Sequence, residues 1–409
     1  MAARLREAAD ERTRSQLPAV QNIARRVRGY EAGEHFPGEM YVGLYCRALG
    51  LTRNALFGPP VGHGDGSAAV PVTEHDAVGL AAWITASNTT DDAIGHVDQR
   101  RAELAEAHTS LPPGWVLVEV LGLHRQVQEL LQGGRQRCSQ TREMFRIETG
   151  LLAHASLLLD DIDHAATARV HGKVAVLCAE EAGCSPALAL SAQAKTARWQ
   201  GVHLGGSAGV RFFARSADLA RRGFECSPDA PVWVLLASQE ASAAALLGDA
   251  ARARRALRDA EDAANSIEAI PAASTWACPG PRRALYAMSV AIRLGDPDAA
   301  LQAAADADMG WAAGEPWLYG VWSLVRVGAA IAYVMKGDVD AAAAQLGGVL
   351  ALAPVFRITT IRSYLADLDA RLAWRRFITV PAARELRGQI AAFTAAADPA
   401  ATTGATEAR

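Results

Sequence analysis

The sequence predicts an all-α protein, a small N-terminal helical domain followed by a long array of paired helices. Three observations carry that prediction. Apolar residues recur at three- and four-residue spacing through nearly every segment after position 71. Several alternating β-branched runs, the mark of a sheet, are not found. A Gly-Asp turn between two helical stretches returns at near-constant intervals.

Length and composition bound what such a chain can be. Its 409 residues suffice for two domains and a large core. Half of them are apolar, 21% are charged and the net charge is −3, which excludes a disordered tail or a uniformly basic nucleic-acid coat. Arg4, Arg6, Glu7, Asp10 and Glu11 interrupt the start, so no secretory signal is expected. The longest apolar stretches, 232–248 and 321–335, carry Glu240 and Arg326 and fall short of the roughly 20 residues a bilayer crossing needs. A cytoplasmic protein with no membrane partner is therefore expected. The cysteines at 46, 138, 178, 184, 226 and 278 form no Cys-x-x-Cys pair and have no matching His pair, so buried thiols are expected rather than zinc or disulfides, with no metal and no cofactor.

Taken in order, residues 1–57 carry nine Arg against six acidic residues, a basic segment ahead of an acidic remainder. Residues 58–71, GPPVGHGDGSAAVP, read as a Gly/Pro-rich linker. Residues 72–150 read as a helical region preceding or capping the repeats, 151–396 as the repeats, and 397–409 as a disordered tail. Thr90, Ser185-Pro186 and Asp296-Pro297 supply helix starts, with a capping oxygen before the first turn and proline where no N–H is needed.

The repeat turns fall near Asp161, Gly205, Gly248, Gly295 and Gly337, at spacings of 44, 43, 47 and 42 residues. Around them the text recurs as LLGDAARARRAL, RLGDPDAALQAA and MKGDVDAAAAQL, with LLDDIDHAATAR as a weaker copy. Glycine can end one helix in the left-handed conformation, and aspartate can cap the next. Alanines on the second helix let it pack closely, and such pairs bury their faces only by stacking. Residues 151–396 thus resemble the repeat region of tetratricopeptide proteins. That resemblance implies a right-handed helical-repeat solenoid, with helices longer than the standard unit.

In the first segment, Val27-Arg28-Gly29-Tyr30-Glu31-Ala32-Gly33-Glu34, then Pro37, then residues 40–51 ending Leu49-Gly50-Leu51, resemble the second half of an Xre-type, lambda-repressor-like helix-turn-helix domain. More narrowly, the whole chain resembles actinobacterial Xre-type regulators that couple this domain to a repeat array. On a helix starting near Ile23, Ile23, Val27 and Tyr30 share one face, Arg25 and Arg28 lie opposite and Arg26 flanks them. The resemblance implies that Asn22, Arg25, Arg26 and Arg28 meet DNA, where arginine is the commonest specific reader of guanine. Too few residues precede this helix for a complete five-helix domain. Residues 2–9 are read as its second helix and 10–20 as an insertion, which makes a partial domain with apolar surface expected bare around Leu5, Val27 and Tyr30.

Other constellations point nowhere sharper. Gly62-x-Gly64-x-Gly66 and the run 204–209, Leu-Gly-Gly-Ser-Ala-Gly, read as turns, and Asp160, Asp161 and Asp163 beside His164 read as capping. No His-x-x-x-His pair or nucleophile elbow is found, so no catalytic residue and no enzyme is expected. Tryptophans such as Trp276, Trp311, Trp317 and Trp322 read first as packing between helices. Trp317, Trp322 and Arg326 are the candidate ligand or partner face, Arg326 standing four residues after Trp322. The expected function is a transcriptional regulator that binds operator DNA, with the repeats sensing a peptide, protein or small molecule or holding a homodimer. The alternative is a helical-repeat interaction scaffold with a vestigial DNA-binding segment.

Overall fold

The structure, a computed structural model, describes residues 1–32, 35–57, 80–81, 84–226, 231–267 and 273–395. Among these residues there are helices and turns and no strand, so the protein is all-α. The expected linker and tail lie outside the described residues. The chain divides into two compact units, Met1–Ala77 and Val78–Arg409. No helix among the described residues is long and apolar enough to cross a membrane.

The first unit contains α1 (Ala2–Glu7), α2 (Glu11–Gln16), α3 (Val20–Glu31), α4 (Glu39–Leu49) and α5 (Arg53–Phe57). Its core is Leu5, Ile23 and Leu44, fully enclosed, with Leu17, Val27, Tyr41 and Tyr45 around them. Two expectations are corrected here. The segment 10–20 is not simply an insertion, because Asp10 accepts from Thr13 N at 2.8 Å and opens α2 there. The surface expected bare is covered: Leu5 is 0% and Val27 4% exposed, since α1 packs on both α3 and α4 and Leu17 fills the edge. Gly50, left-handed at φ 68°, ends α4 at the Leu-Gly-Leu signal.

The second unit begins with α6 (Asp91–Ala107), capped by Thr90 on Ala93 N at 3.1 Å, and α7 (Pro113–Gly133). Among the described residues six pairs follow: α8 (Cys138–Asp161) with α9 (Ala165–Ala182), α10 (Ala187–Leu204) with α11 (Gly206–Glu225), and α12 (Val232–Leu246) with α13 (Ala250–Ser266). The others are α14 (Gly280–Leu294) with α15 (Pro297–Ala312), α16 (Tyr319–Lys336) with α17 (Val339–Leu350), and α18 (Thr359–Leu372) with α19 (Pro381–Ala395). The two helices of each pair pack together, and the first helix of each pair packs on the first helix of the next. The boundary expected at 151 falls inside α8, which runs unbroken from Cys138, so the first pair starts earlier than the repeated text suggests.

The turns fall where the sequence puts them. Gly248, Gly295 and Gly337 are left-handed at φ 79°, 80° and 91°. The aspartate after each glycine caps the next helix: Asp249 accepts from Arg252 N, Asp296 from Ala299 N and Asp338 from Ala341 N, each at 2.9 Å. In the weaker copy Asp163 itself takes the left-handed place, at φ 69°. The second helices bury alanine at helical spacing, Ala253, Ala256, Ala260 and Ala263 on α13 and Ala300, Ala303, Ala304 and Ala307 on α15. A methyl side chain lets two helix axes approach closely, so these faces pack without large residues.

Candidate functional site

Stacking on both sides covers much of each first helix, and the remaining faces of α8, α10, α12, α14, α16 and α18 look onto a common interior. Two cavities lie there, of about 130 Å³ and about 790 Å³, and Arg198, Trp199 and Tyr364 line both. The interior is thus built by helices far apart in sequence, with α10 supplying the wall between the cavities.

The smaller cavity reaches a polar cluster around Asp161, at the C-terminal end of α8. Lys195 Nζ donates to its Oδ1 at 2.7 Å, and His108 Nε2 stands 3.6 Å from its Oδ2. His108 Nδ1 meets His154 Nε2 at 3.0 Å. Burial alone would raise the Asp161 carboxyl, yet the Lys195 ammonium and His108 outweigh it and hold the carboxyl down at about 2. Burial pushes both histidines below the usual range, against the pull of Asp161. Asp160 next to it is also buried but, among the described residues, has no cation in contact. Burial, with the Asp161 charge adding to it, lifts its carboxyl to about 6. The three carboxylates are therefore not caps as expected: His164 holds the N-cap position of α9, while Asp161 and Asp163 reach to α10 and α18.

The wall between the cavities is where charge is left over. Arg198 is 8% exposed. Its Nη1 donates to Ser242 Oγ at 2.8 Å, and its guanidinium carbon lies 5.1 Å from the Trp199 ring and 5.6 Å from the Tyr286 ring. Among the described residues its Nε has no hydrogen-bond partner, nor has the Trp199 indole N–H. Among the described residues no carboxylate comes within ion-pair distance of Arg198, although Arg293 in the same lining is paired with Asp367 at 3.2 Å.

No family model, curated protein or solved structure matches the chain.

The sequence-derived residues are distributed as follows. Asn22, Arg25, Arg26 and Arg28 are all exposed on α3, while Ile23 and Val27 on the same helix are buried. Arg26 lies 5.9 Å from the Tyr41 ring, and among the described residues none of the three arginines is in an ion pair. Trp317 and Trp322 come together outside the interior cavities, while Arg326, one helical turn on from Trp322, lies 6.0 Å from the Trp311 ring. Trp317 is 57% exposed and its ring lies 6.1 Å from that of Trp322. Trp322, on α16, rests its ring against α17, where a Cβ at Gly348 would meet it at 2.7 Å, and Arg326 pairs with Asp308 and Gln345 on α15 and α17. Gly205, at φ 60°, is the turn residue and Gly206, at φ 50°, opens α11, whereas Gly209 of the same run lies inside that helix. The Gly62 cluster is outside the described residues.

Sequence reasoning did not single out Arg198, Trp199, Tyr286 or Tyr364. The one available signal was the set of Lys195, Arg198 and Trp199 in an otherwise small-residue helix, ALALSAQAKTARWQ.

Proposed function

We propose that this protein is a DNA-binding transcriptional regulator whose helix-pair array senses a ligand. The DNA-contacting element is α3, with Asn22, Arg25 and Arg26 at base edges and Arg28 at phosphate. The observation that carries the reading is the sorting of that helix: its apolar residues Ile23 and Val27 are enclosed, and its three arginines, in no ion pair among the described residues, are presented to solvent. Unpaired exposed arginine is what phosphate and guanine take up, and desolvating it costs no existing ion pair. The Xre-type pattern from Val27 to Leu51 and the tetratricopeptide-like Gly-Asp turns support the same assignment, with the cytoplasm as its place and a two-fold dimer as the form that meets paired half-sites. The array supplies the sensor, because its first helices, beside their packed apolar cores, line two cavities.

A gel shift of the full chain on the DNA upstream of its own gene, repeated at rising salt, tests this. A complex that weakens steeply with salt, with a slope shallower by about one unit in Arg28→Ala, is the expected result. Absence of a complex at low salt leaves the second reading, an interaction scaffold, which the solvent-exposed Trp317 beside Trp322 favours.

A further inference from the structure

Among the described residues, the lysine and arginines that line the interior have an anionic or carbonyl partner except at one place. Lys195 answers Asp161, Arg293 answers Asp367, and Arg282 spends its Nη1 on the carbonyls of Thr275 and Ala277. Arg198 alone in that set has neither a carboxylate nor a backbone carbonyl. Asp160 is the nearby acid that acts on it electrostatically, but it stays beyond ion-pair distance and its own buried carboxyl rises to about 6 rather than falling as a paired acid would. A guanidinium that is nine-tenths buried and has no carboxylate in contact is costly unless something supplies one.

The geometry also says what shape that something has. Nη1 is committed to Ser242, and the ring faces of Trp199 and Tyr286 take the flat side of the guanidinium. What remains is the Nε and Nη2 edge, the fork that meets both oxygens of a carboxylate. The Trp199 indole N–H, also unpartnered, adds a third donor on the next residue. Leu157, Leu235 and Leu285 in the smaller cavity wall ask for an apolar body behind the anionic head. A single cation without a carboxylate in ion-pair contact suits a monoanion better than a phosphate dianion.

We infer that the interior of the array binds a small organic carboxylate with an apolar body, its head group on Arg198 and Trp199. This deepens the sensor reading and rests on it. The full chain, without DNA, is titrated by calorimetry with cinnamate and octanoate and with the uncharged amides of both. The carboxylates are expected to bind at least about tenfold tighter than their amides, and Arg198→Lys, which keeps the charge but loses the fork, to lose about tenfold or more. A second readout needs no variant: in protein carrying nitrogen-labelled arginine, one side-chain Nε–H resonance should shift on adding either carboxylate. No binding of either carboxylate, amides binding as well as acids, or saturation with no arginine Nε–H shift each overturns the inference. Because no DNA is present, those outcomes are separate from a failed gel shift, which removes the regulator and not the ligand.

Discussion

The hydroxyl of Thr359, at the start of the last helix pair, donates to the main-chain carbonyl of Asp161, at the turn of the first, over 3.0 Å and 198 positions of sequence. The same hydroxyl lies 2.8 Å from Asp163 Oδ1, and Arg362 pairs with Asp163. The last pair is therefore fastened to the first, and His203 Nε2 with Ser363 Oγ at 3.2 Å adds a second tie from α10 to α18. Both ties flank the interior cavities. Thr359→Val removes the first and leaves a buried carbonyl without its donor, a loss of about 1–3 kcal/mol. Hydrogen exchange should quicken at α18 and at the end of α8 while α12 and α14 keep their protection. Unchanged exchange at α18 would mean that the tie holds nothing.

The adjacent aspartates should act oppositely with pH. Asp161, held down at about 2, contributes stability that is present above its unfolded value near 4 and lost as pH falls toward 2. Asp160, raised from 3.8 to about 6, is instead a cost that appears as pH rises through that interval and is complete above it. Asp160→Asn should thus stabilise the protein by up to about 3 kcal/mol near pH 8 and change little near pH 4. Thermal unfolding of both forms at the two pH values reads this directly, and a variant destabilised near pH 8 would contradict it.

At the repeat turns, conformation rather than space sets the penalty. Around Gly248, Gly295 and Gly337 an added Cβ meets nothing within 4 Å, but each backbone is left-handed. Valine at any of the three should cost about 1–2 kcal/mol, and asparagine clearly less. Gly209 is the opposite case: its φ is ordinary, and an added Cβ would sit 2.5 Å from the Gly201 carbonyl oxygen across the α10–α11 contact. Gly209→Ala should cost about 1–3 kcal/mol by forcing the two helices apart. Chemical denaturation of the four variants separates the two causes, since only Gly209→Ala should disturb the Trp199 side of α10.

What the sequence disclosed follows the range of the forces involved. The Gly-Asp turns and the apolar face of α3 were legible because each is decided by neighbours within one turn of helix. The helix α2, ERTRSQ, left no pattern because it buries no residue. The start of the first pair was misread because α8 carries the repeated text only in its last turns. The interior eluded reading for a different reason. Arg198, Tyr286 and Tyr364 come from α10, α14 and α18, and only the stacking brings them together. Trp322 and Arg326, four residues apart on one helix, were visible for the very reason that they are local, and they lie outside the cavities.

The most direct test of the proposed DNA-binding function is selection of duplexes by the full chain from a random pool, followed by sequencing of the retained fraction. A recovered motif is expected, blurred at specific positions by Arg25→Ala or Arg26→Ala and merely recovered in lower yield by Arg28→Ala. Retention of no DNA at low salt, or of DNA without any motif by the unaltered chain, would contradict the account.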